Sequence, residues 1–184
     1  MKHLKLKPYV DQKRGWPQQG RVILAQYDTE TVVVYQAYRA STARYAVQHG
    51  HFGGPDYSFE RMSWIKPNFL WMRRRSSWAQ KQGQEHVLAI WLKRPVFDDV
   101  LAQAVHSTYD ESIYGTHEHW QQASAQSDVR LQWDPDYDPR GIKIKRRAIQ
   151  LGLRGDTLQH VATEAIVHIE DISTYVREQA LFRN

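Results

Sequence analysis

The stretch from residue 61 to residue 78 holds the mixture of side chains that a phosphate-binding site requires. Arginine binds phosphate oxygens through paired hydrogen bonds, lysine supplies a mobile positive charge, and indole rings stack on nucleobases. The alternative is that the large rings belong to the core and the three consecutive arginines form a solvated helix end. On the first interpretation, the ligand-binding residues of this stretch are Arg61, Ser63, Trp64, Lys66, Asn68, Trp71, Arg73, Arg74, Arg75 and Trp78.

A second basic segment, residues 140–154, holds six basic side chains and no acidic one. Isoleucine and lysine alternate over residues 142–145, which places the lysines on the exposed face of a strand. Taken alone, the segment is explained by surface patterning. If the fold places it beside the first segment, Arg146 and Arg147 extend the same phosphate-binding face.

The charge of the chain is positive overall and unevenly distributed. A net charge of +5 and an isoelectric point near 9.4 favour nucleic acid, nucleotides or acidic surfaces as partners. Between the two basic segments, residues 107–138 carry seven acidic side chains and one basic residue, Arg130. This segregation predicts one basic and one acidic face. It also motivates a non-catalytic protein-interaction module as an alternative function, without defining an oligomeric state.

Residues for other kinds of chemistry are few or scattered. The absence of cysteine excludes disulfides, thiolate metal sites and cysteine nucleophiles. The histidine pairs at 49/51 and 117/119 lack the i, i+4 spacing of a zinc-binding helix, and we predict no metal site. Glycine-rich nucleotide loops and the Gly-x-Ser-x-Gly elbow are absent, which disfavours the common hydrolases, loop-type triphosphatases and dinucleotide dehydrogenases. The candidate acid–base residues are Glu85, Asp134, Glu164 and Glu170.

A mixed set of strands and helices must position these residues. We predict a single compact α/β (mixed α+β) domain over residues 1–184, with a central mixed sheet flanked by helices and an extended N-terminal arm over 1–20. Alternating or apolar runs predict strands, and helical spacing with capping residues predicts helices. The predicted strands lie at 21–27, 31–38, 85–92, 129–133 and 142–153, and the predicted helices at 41–48, 68–75, 95–105 and 156–169.

The C-terminal helix is predicted from an amphipathic stripe. Asp156 and Gln159 form a start similar to a capping box, and Ser41 or Thr42 is expected to cap the first helix. Apolar residues at 158, 161, 162, 165, 166 and 169 follow with helical spacing, and the helix continues or restarts near Asp171.

No membrane segment is predicted. The N-terminal residues lack the apolar run of a signal peptide, and no stretch reaches 18 consecutive apolar residues. We therefore expect a cytoplasmic protein without a membrane partner.

The string from Arg61 to Met72, which contains Trp-Ile-Lys-Pro-Asn-Phe-Leu-Trp-Met, is highly specific. With several other strings of the chain, it resembles the family called domain of unknown function 4291. This resemblance implies no activity, cofactor or catalytic residue. The other matching strings lie at 20–28, 34–38, 52–54, 83–85, 129–136 and 146–155.

Along the chain, four elements follow in order: a strand at 34–38, a helix after Ser41, a serine-bearing segment at 62–64 and an apolar strand at 87–90. This order resembles the ADP-ribosyltransferase fold. That resemblance implies an enzyme that uses NAD as cofactor, and it places four residues near the reacting groups. The sequence departs from the pattern, because Gln36 stands where arginine or glycine is expected and no Glu-x-Glu or Gln-x-Glu pair occurs. The four candidate catalytic residues are Tyr35, Gln36, Ser63 and Glu85.

Three functions follow from these observations. The two basic segments favour a protein that binds a nucleic acid or a nucleotide, and we rank this function first. The alternatives are an NAD-using enzyme and a protein-interaction module.

Overall fold

Two β-sheets share one core in the computed structural model, which describes residues 3–182. Sheet A has the strand order β1–β7–β6–β5, and β3 pairs with β7 as well. β3 and β6 run antiparallel to β7, whereas β1 is parallel to β7 and β5 is parallel to β6. The strands of sheet A are β1 (Gly20–Arg21), β3 (Ser63–Ile65), β5 (Val105–His106), β6 (Val129–Tyr137) and β7 (Lys143–Leu153).

Sheet B is antiparallel and has β4 in its centre. Its strands are β2 (Thr31–Tyr38), β4 (His86–Lys93) and β8 (Ile166–Asp171), in the order β2–β4–β8. The near-continuous apolar run of β4 predicts burial on both faces, and the structure confirms it. Leu88 belongs to the core shared with sheet A, and its neighbour Val87 belongs to a second core on the opposite face.

Eight α-helices occur within residues 3–182, so that the predicted mixed α/β domain is confirmed. α2 ends where Gly50 adopts a left-handed conformation with φ of 74°, as a glycine after the last helical turn allows. No helix in this part of the chain combines the length and the apolar character needed to cross a membrane. The helices are α1 (Tyr9–Lys13), α2 (Ala40–His49), α3 (Phe69–Arg75), α4 (Arg94–Ala102), α5 (Glu111–Tyr114), α6 (His117–Gln126), α7 (Gly155–Thr163) and α8 (Ser173–Gln179).

Helix α7 is shorter than its sequence pattern predicts. It ends at Thr163, and Ile166 and Ile169 of the stripe lie in β8, paired with β4. The pairing register of β8 skips Val167, which is exposed, whereas Ile169 pairs with Ile90 and is buried. A short apolar run is compatible with the period of a helix and with that of a strand, and here the pairing with β4 selects the strand. The predicted restart near Asp171 is confirmed by α8.

Several other predicted bounds also differ from the structure. Of the run 21–27, only Arg21 lies in sheet A, and the arm that was expected to be extended contains α1. The N-cap of α2 is Arg39, without a side-chain cap, and not Ser41 or Thr42. β6 continues through Pro135 because the register shifts between Pro135 and Tyr137, and such an irregularity accommodates a proline.

Sheet B is covered on both faces. On one face, aliphatic residues of β2 and β4 pack against residues of β6, β7 and α7. On the other face, residues of the same strands pack against α3, α8 and the segment that follows α3. The edge of β2 meets the end of β3 between these two cores, and a cleft opens there.

Candidate functional site

A cleft of about 580 Å³ lies where sheet A meets sheet B. The two sheets are joined there by an isolated bridge between Tyr35 and Lys66, in which the main-chain hydrogen bonds measure 2.7 and 3.2 Å. Cavities of this size are typical of small-molecule sites. The side chains that form the cleft and concern its chemistry are Gln36, Tyr38, Arg39, Arg61, Ser63, Trp64, Lys66, Trp71, Arg75, Gln132 and Gln150.

Lys66 is the central charged group of the cleft. Its side chain is 5% exposed, and no carboxylate lies within 4.0 Å of its ammonium group among residues 3–182. Nζ donates to the carbonyl oxygen of Trp64 at 3.3 Å and lies 4.9 Å from the centre of the Trp71 ring. Burial lowers the pKa of Lys66 to about 7, the positive charge of Arg75 acts in the same direction, and the more distant negative charge of Asp134 opposes both.

Three arginines bring further positive charge to the cleft. Arg39 precedes α2, Arg61 precedes β3, and Arg75 ends α3. Within the described part of the chain, none of them forms an ion pair within 4.0 Å. Asp56 is the one carboxylate among the residues that line the cleft. The cleft therefore carries more positive than negative groups, although Glu85 lies near enough to Arg39 for its charge to act on it.

Two indole rings border the cleft. Trp71 lies on α3 beneath the ammonium group of Lys66, and Trp64 lies on β3 beside β7. Trp64 approaches the main chain of Gly152, where a Cβ atom would lie 2.9 Å from the indole. The absence of a side chain at Gly152 therefore allows the Trp64 ring to pack against β7.

A network of neutral polar groups surrounds Ser63. The amide nitrogen of Gln36 donates to Ser63 Oγ at 2.7 Å and to the Trp64 carbonyl at 3.2 Å. The hydroxyl of Tyr38 is 3.0 Å from Ser63 Oγ. Burial raises the pKa of Tyr38, so this hydroxyl stays protonated at neutral pH.

Two glutamines on adjacent strands line the cleft on the side of sheet A. Gln132 on β6 and Gln150 on β7 are partners in the antiparallel register. Their amide nitrogens donate to the two carboxylate oxygens of Asp134, at 2.8 and 2.6 Å. Asp134 thereby fixes the orientation of both amides.

The structure brings six of the predicted ligand-binding residues of the first segment to the cleft, and four lie elsewhere. Asn68 caps α3 by accepting from the amide of Trp71, at 3.0 Å. Arg73 is buried, donates to the carbonyl of Asp138 at 2.6 Å and stacks on Trp78. Arg74 is exposed and lies over the ring of Tyr137. The six residues at the cleft are Arg61, Ser63, Trp64, Lys66, Trp71 and Arg75.

Arg146 and Arg147 do not extend the cleft. Arg146 is 2% exposed, forms an ion pair with Asp136 at 2.7 Å and donates to the carbonyl of Pro17. Arg147 donates to the carbonyl of Trp133 at 2.7 Å. Because β6 and β7 are antiparallel neighbours, the acidic and basic segments of the sequence lie against each other. Their charges are partly paired within the chain.

The four candidate catalytic residues are also divided by the fold. Gln36 and Ser63 lie in the cleft, in contact with each other. Tyr35 is buried in the second core, and burial raises the pKa of its hydroxyl. Glu85 accepts from the amide of Gly83 at 2.8 Å, and backbone amides lower the pKa of its carboxyl group. No cluster of three or more His, Asp or Glu side chains with metal-binding geometry occurs in residues 3–182.

The sequence reasoning missed four residues of the cleft: Arg39, Tyr38, Gln132 and Gln150. Gln150 carries a signal, since it is the polar residue in the run from Ala148 to Leu153. Gln132 shares the polar positions of an alternating strand with Arg130 and Asp134 and carries no such signal. Arg39 and Tyr38 carry no signal in the sequence, because they reach the cleft only through the position of the end of β2 relative to β3.

The chain belongs to the family Domain of unknown function (DUF4291), whose model matches residues 22–183. The match covers nearly the whole chain and confirms the family resemblance of the sequence. No curated protein matches the chain. These comparisons give no support to the resemblance to ADP-ribosyltransferases.

Proposed function

We propose that the chain binds a phosphate-bearing nucleotide, free or within a single nucleic-acid strand, in the cleft between the two sheets. The observation that carries this proposal is the buried amine of Lys66, which has no carboxylate within 4.0 Å among residues 3–182 and shares its cleft with Arg61 and Arg75. A buried cation is costly unless it is paired, and an anionic ligand supplies the missing partner.

The chemistry of the cleft walls supports a nucleotide more than inorganic phosphate alone. The rings of Trp64 and Trp71 line the cleft, and an indole face stacks on a base of any identity. The guanidinium group of Arg75 or Arg61 pairs with two phosphate oxygens at once, while the Lys66 ammonium acts as a point charge. The volume of about 580 Å³ lies within the range of sites for small organic ligands.

Calorimetric titration of the full chain with nucleoside 5′-monophosphates tests the proposal. Lys66→Met should weaken binding about 30-fold or more, because removal of one charge from a buried pair costs about 2–5 kcal/mol. Lys145→Met replaces an exposed lysine of β7 outside the cleft and should bind as the wild type does. Equal affinities of these two variants, or no binding by the wild type at millimolar nucleotide, would contradict the proposal.

Salt dependence separates a single strand from a free nucleotide. If Arg39, Arg61, Lys66 and Arg75 all reach strand phosphates, the logarithm of affinity should fall with the logarithm of salt at a slope of about −2.8. A short oligoribonucleotide and a mononucleotide, titrated at three salt concentrations, give this comparison. A slope that is equal for both ligands would restrict the proposal to the nucleotide.

A further inference from the structure

The side of the cleft formed by sheet A carries two amide groups whose orientation is fixed. Gln132 and Gln150 each donate through Nε2 to Asp134, and an ionised carboxylate accepts hydrogen bonds but does not donate them. The nitrogen of each amide must therefore face Asp134. The carbonyl oxygen of each amide is left for another partner.

These carbonyl oxygens have few partners within the protein. Gln150 is 8% exposed and lines the cleft, and no residue in the described part of the chain donates a hydrogen bond to its Oε1. Oε1 of Gln132 is 3.5 Å from Ser107 Oγ, at the outer limit of a hydrogen bond. The cleft that holds Lys66 therefore also presents hydrogen-bond acceptors.

Gln36 repeats this arrangement on the side of the cleft formed by sheet B. Its Nε2 donates to the carbonyl of Trp64, which can only accept, so its amide orientation is fixed in the same way. Gln36 uses both N–H groups of its amide within the protein, and Gln132 and Gln150 use one each. Among the described residues, no donor contacts the carbonyl oxygens of Gln36 and Gln150, which are available to a ligand.

Acceptors select ligands that present N–H groups. A buried carbonyl that loses water without gaining a donor raises the free energy of the complex, so a ligand with a carbonyl at that position is rejected. Among nucleobases, adenine, cytosine and guanine carry an exocyclic amino group, whereas uracil presents carbonyl oxygens at the corresponding edges.

We propose that the cleft recognises a nucleotide whose base carries an exocyclic amino group, and that Gln150 and Gln132 accept its hydrogen bonds. The phosphate of the same ligand lies at the cationic part of the cleft. This inference rests on the proposed function, because it assumes that a nucleotide occupies the cleft.

Two pairs of ligands test the inference on the wild-type protein. Adenosine 5′-monophosphate and purine riboside 5′-monophosphate differ only in the amino group, and cytidine and uridine 5′-monophosphates differ at the same kind of position. In calorimetry, the amino-bearing member of each pair should bind about tenfold more tightly or better, which corresponds to the loss of one hydrogen bond at a buried acceptor. Equal affinities, or tighter binding of the uridine nucleotide, would overturn the inference.

Variants assign the preference to a residue. Gln150→Met should remove most of the difference within each pair, while Gln159→Met, at an exposed position of α7, should retain it. Lys66→Met should weaken both members of a pair by the same factor. A Gln150→Met protein that folds and keeps the full preference would contradict the role of Gln150.

Failures of the two proposals give different results. If no nucleotide binds, the proposed function and the inference both fall. If nucleotides bind and Lys66→Met weakens them, but neither pair is discriminated, the inference alone is wrong. If Gln150→Met does not fold, the ligand pairs on the wild-type protein still decide the question.

Discussion

Replacement of Lys66 by methionine should stabilise the folded protein, and the gain should depend on pH. Burial lowers the pKa of Lys66 from 10.5 to about 7, so the unfolded chain binds a proton on this amine that the folded chain releases between these values. The wild-type protein therefore gains stability as the pH rises from about 7 to about 10. Below pH 7 both states are protonated, and the cost of the buried charge is at its full value.

The size of the effect follows from the two pKa values. One pKa unit corresponds to about 1.4 kcal/mol, so the buried charge costs about 5 kcal/mol at pH 6 and about 1 kcal/mol at pH 10. Lys66→Met should therefore raise the free energy of unfolding by about 5 kcal/mol at pH 6 and by about 1 kcal/mol at pH 10.

Denaturant unfolding at pH 6, 7, 8, 9 and 10 measures this gain for the variant relative to the wild type. Titration of all other groups is common to both proteins and cancels in the difference. Lys145→Met, at an exposed position, should leave the profile unchanged. A gain from Lys66→Met that is independent of pH, or a loss of stability at pH 6, would refute the reasoning that Lys66 is a buried charge without a partner.

Three further predictions concern the cleft and its support. At pH 8, nucleotide binding should take up about 0.9 proton, since the buried lysine with a pKa of about 7 must become charged, and titration in buffers of different ionisation enthalpy measures the uptake. Gly152→Ala should destabilise the fold by about 1–3 kcal/mol, because its Cβ would lie 2.9 Å from the Trp64 indole. Gly15→Ala, with no contact closer than 3.8 Å, should be tolerated in the same denaturation assay. Arg146→Met should cost about 3–5 kcal/mol by leaving Asp136 buried and unpaired, and addition of Asp136→Asn should recover part of the loss.

The strands and helices of this protein were predictable where one period dominates the sequence. The apolar run of β4 and the β-branched run of β2 allow only one assignment, because both faces of these strands are buried. The residues after α7 satisfy two periods, and their structure depends on pairing with β4, a contact more than 70 residues distant in sequence. The local sequence pattern gives no information on this long-range pairing, so the strand could not be predicted from it.

The composition of the candidate site was predictable only in part. Lys66, Trp64 and Trp71 share one segment, so their common location follows from sequence proximity. Arg73 and Arg146 have the same residue type as the arginines of the cleft, but the fold uses them as buried contacts to a carbonyl and to Asp136. Residue type therefore predicts what a side chain can bind, while the packing of β6 and β7 determines which partner it meets.

Lys66 connects the stability of the fold to the proposed function. A methionine at this position would fill the same space without the cost of a buried charge, and aromatic and aliphatic neighbours are available to pack against it. Stabilising substitutions that reduce function are expected at binding sites, since a site must hold groups that the folded protein alone leaves unsatisfied. The decisive result is a Lys66→Met protein that is more stable than the wild type at pH 6 and binds nucleotide more weakly. Loss of binding in a more stable protein cannot arise from unfolding. It would show that the charge of Lys66, which destabilises the fold, is needed to bind the ligand.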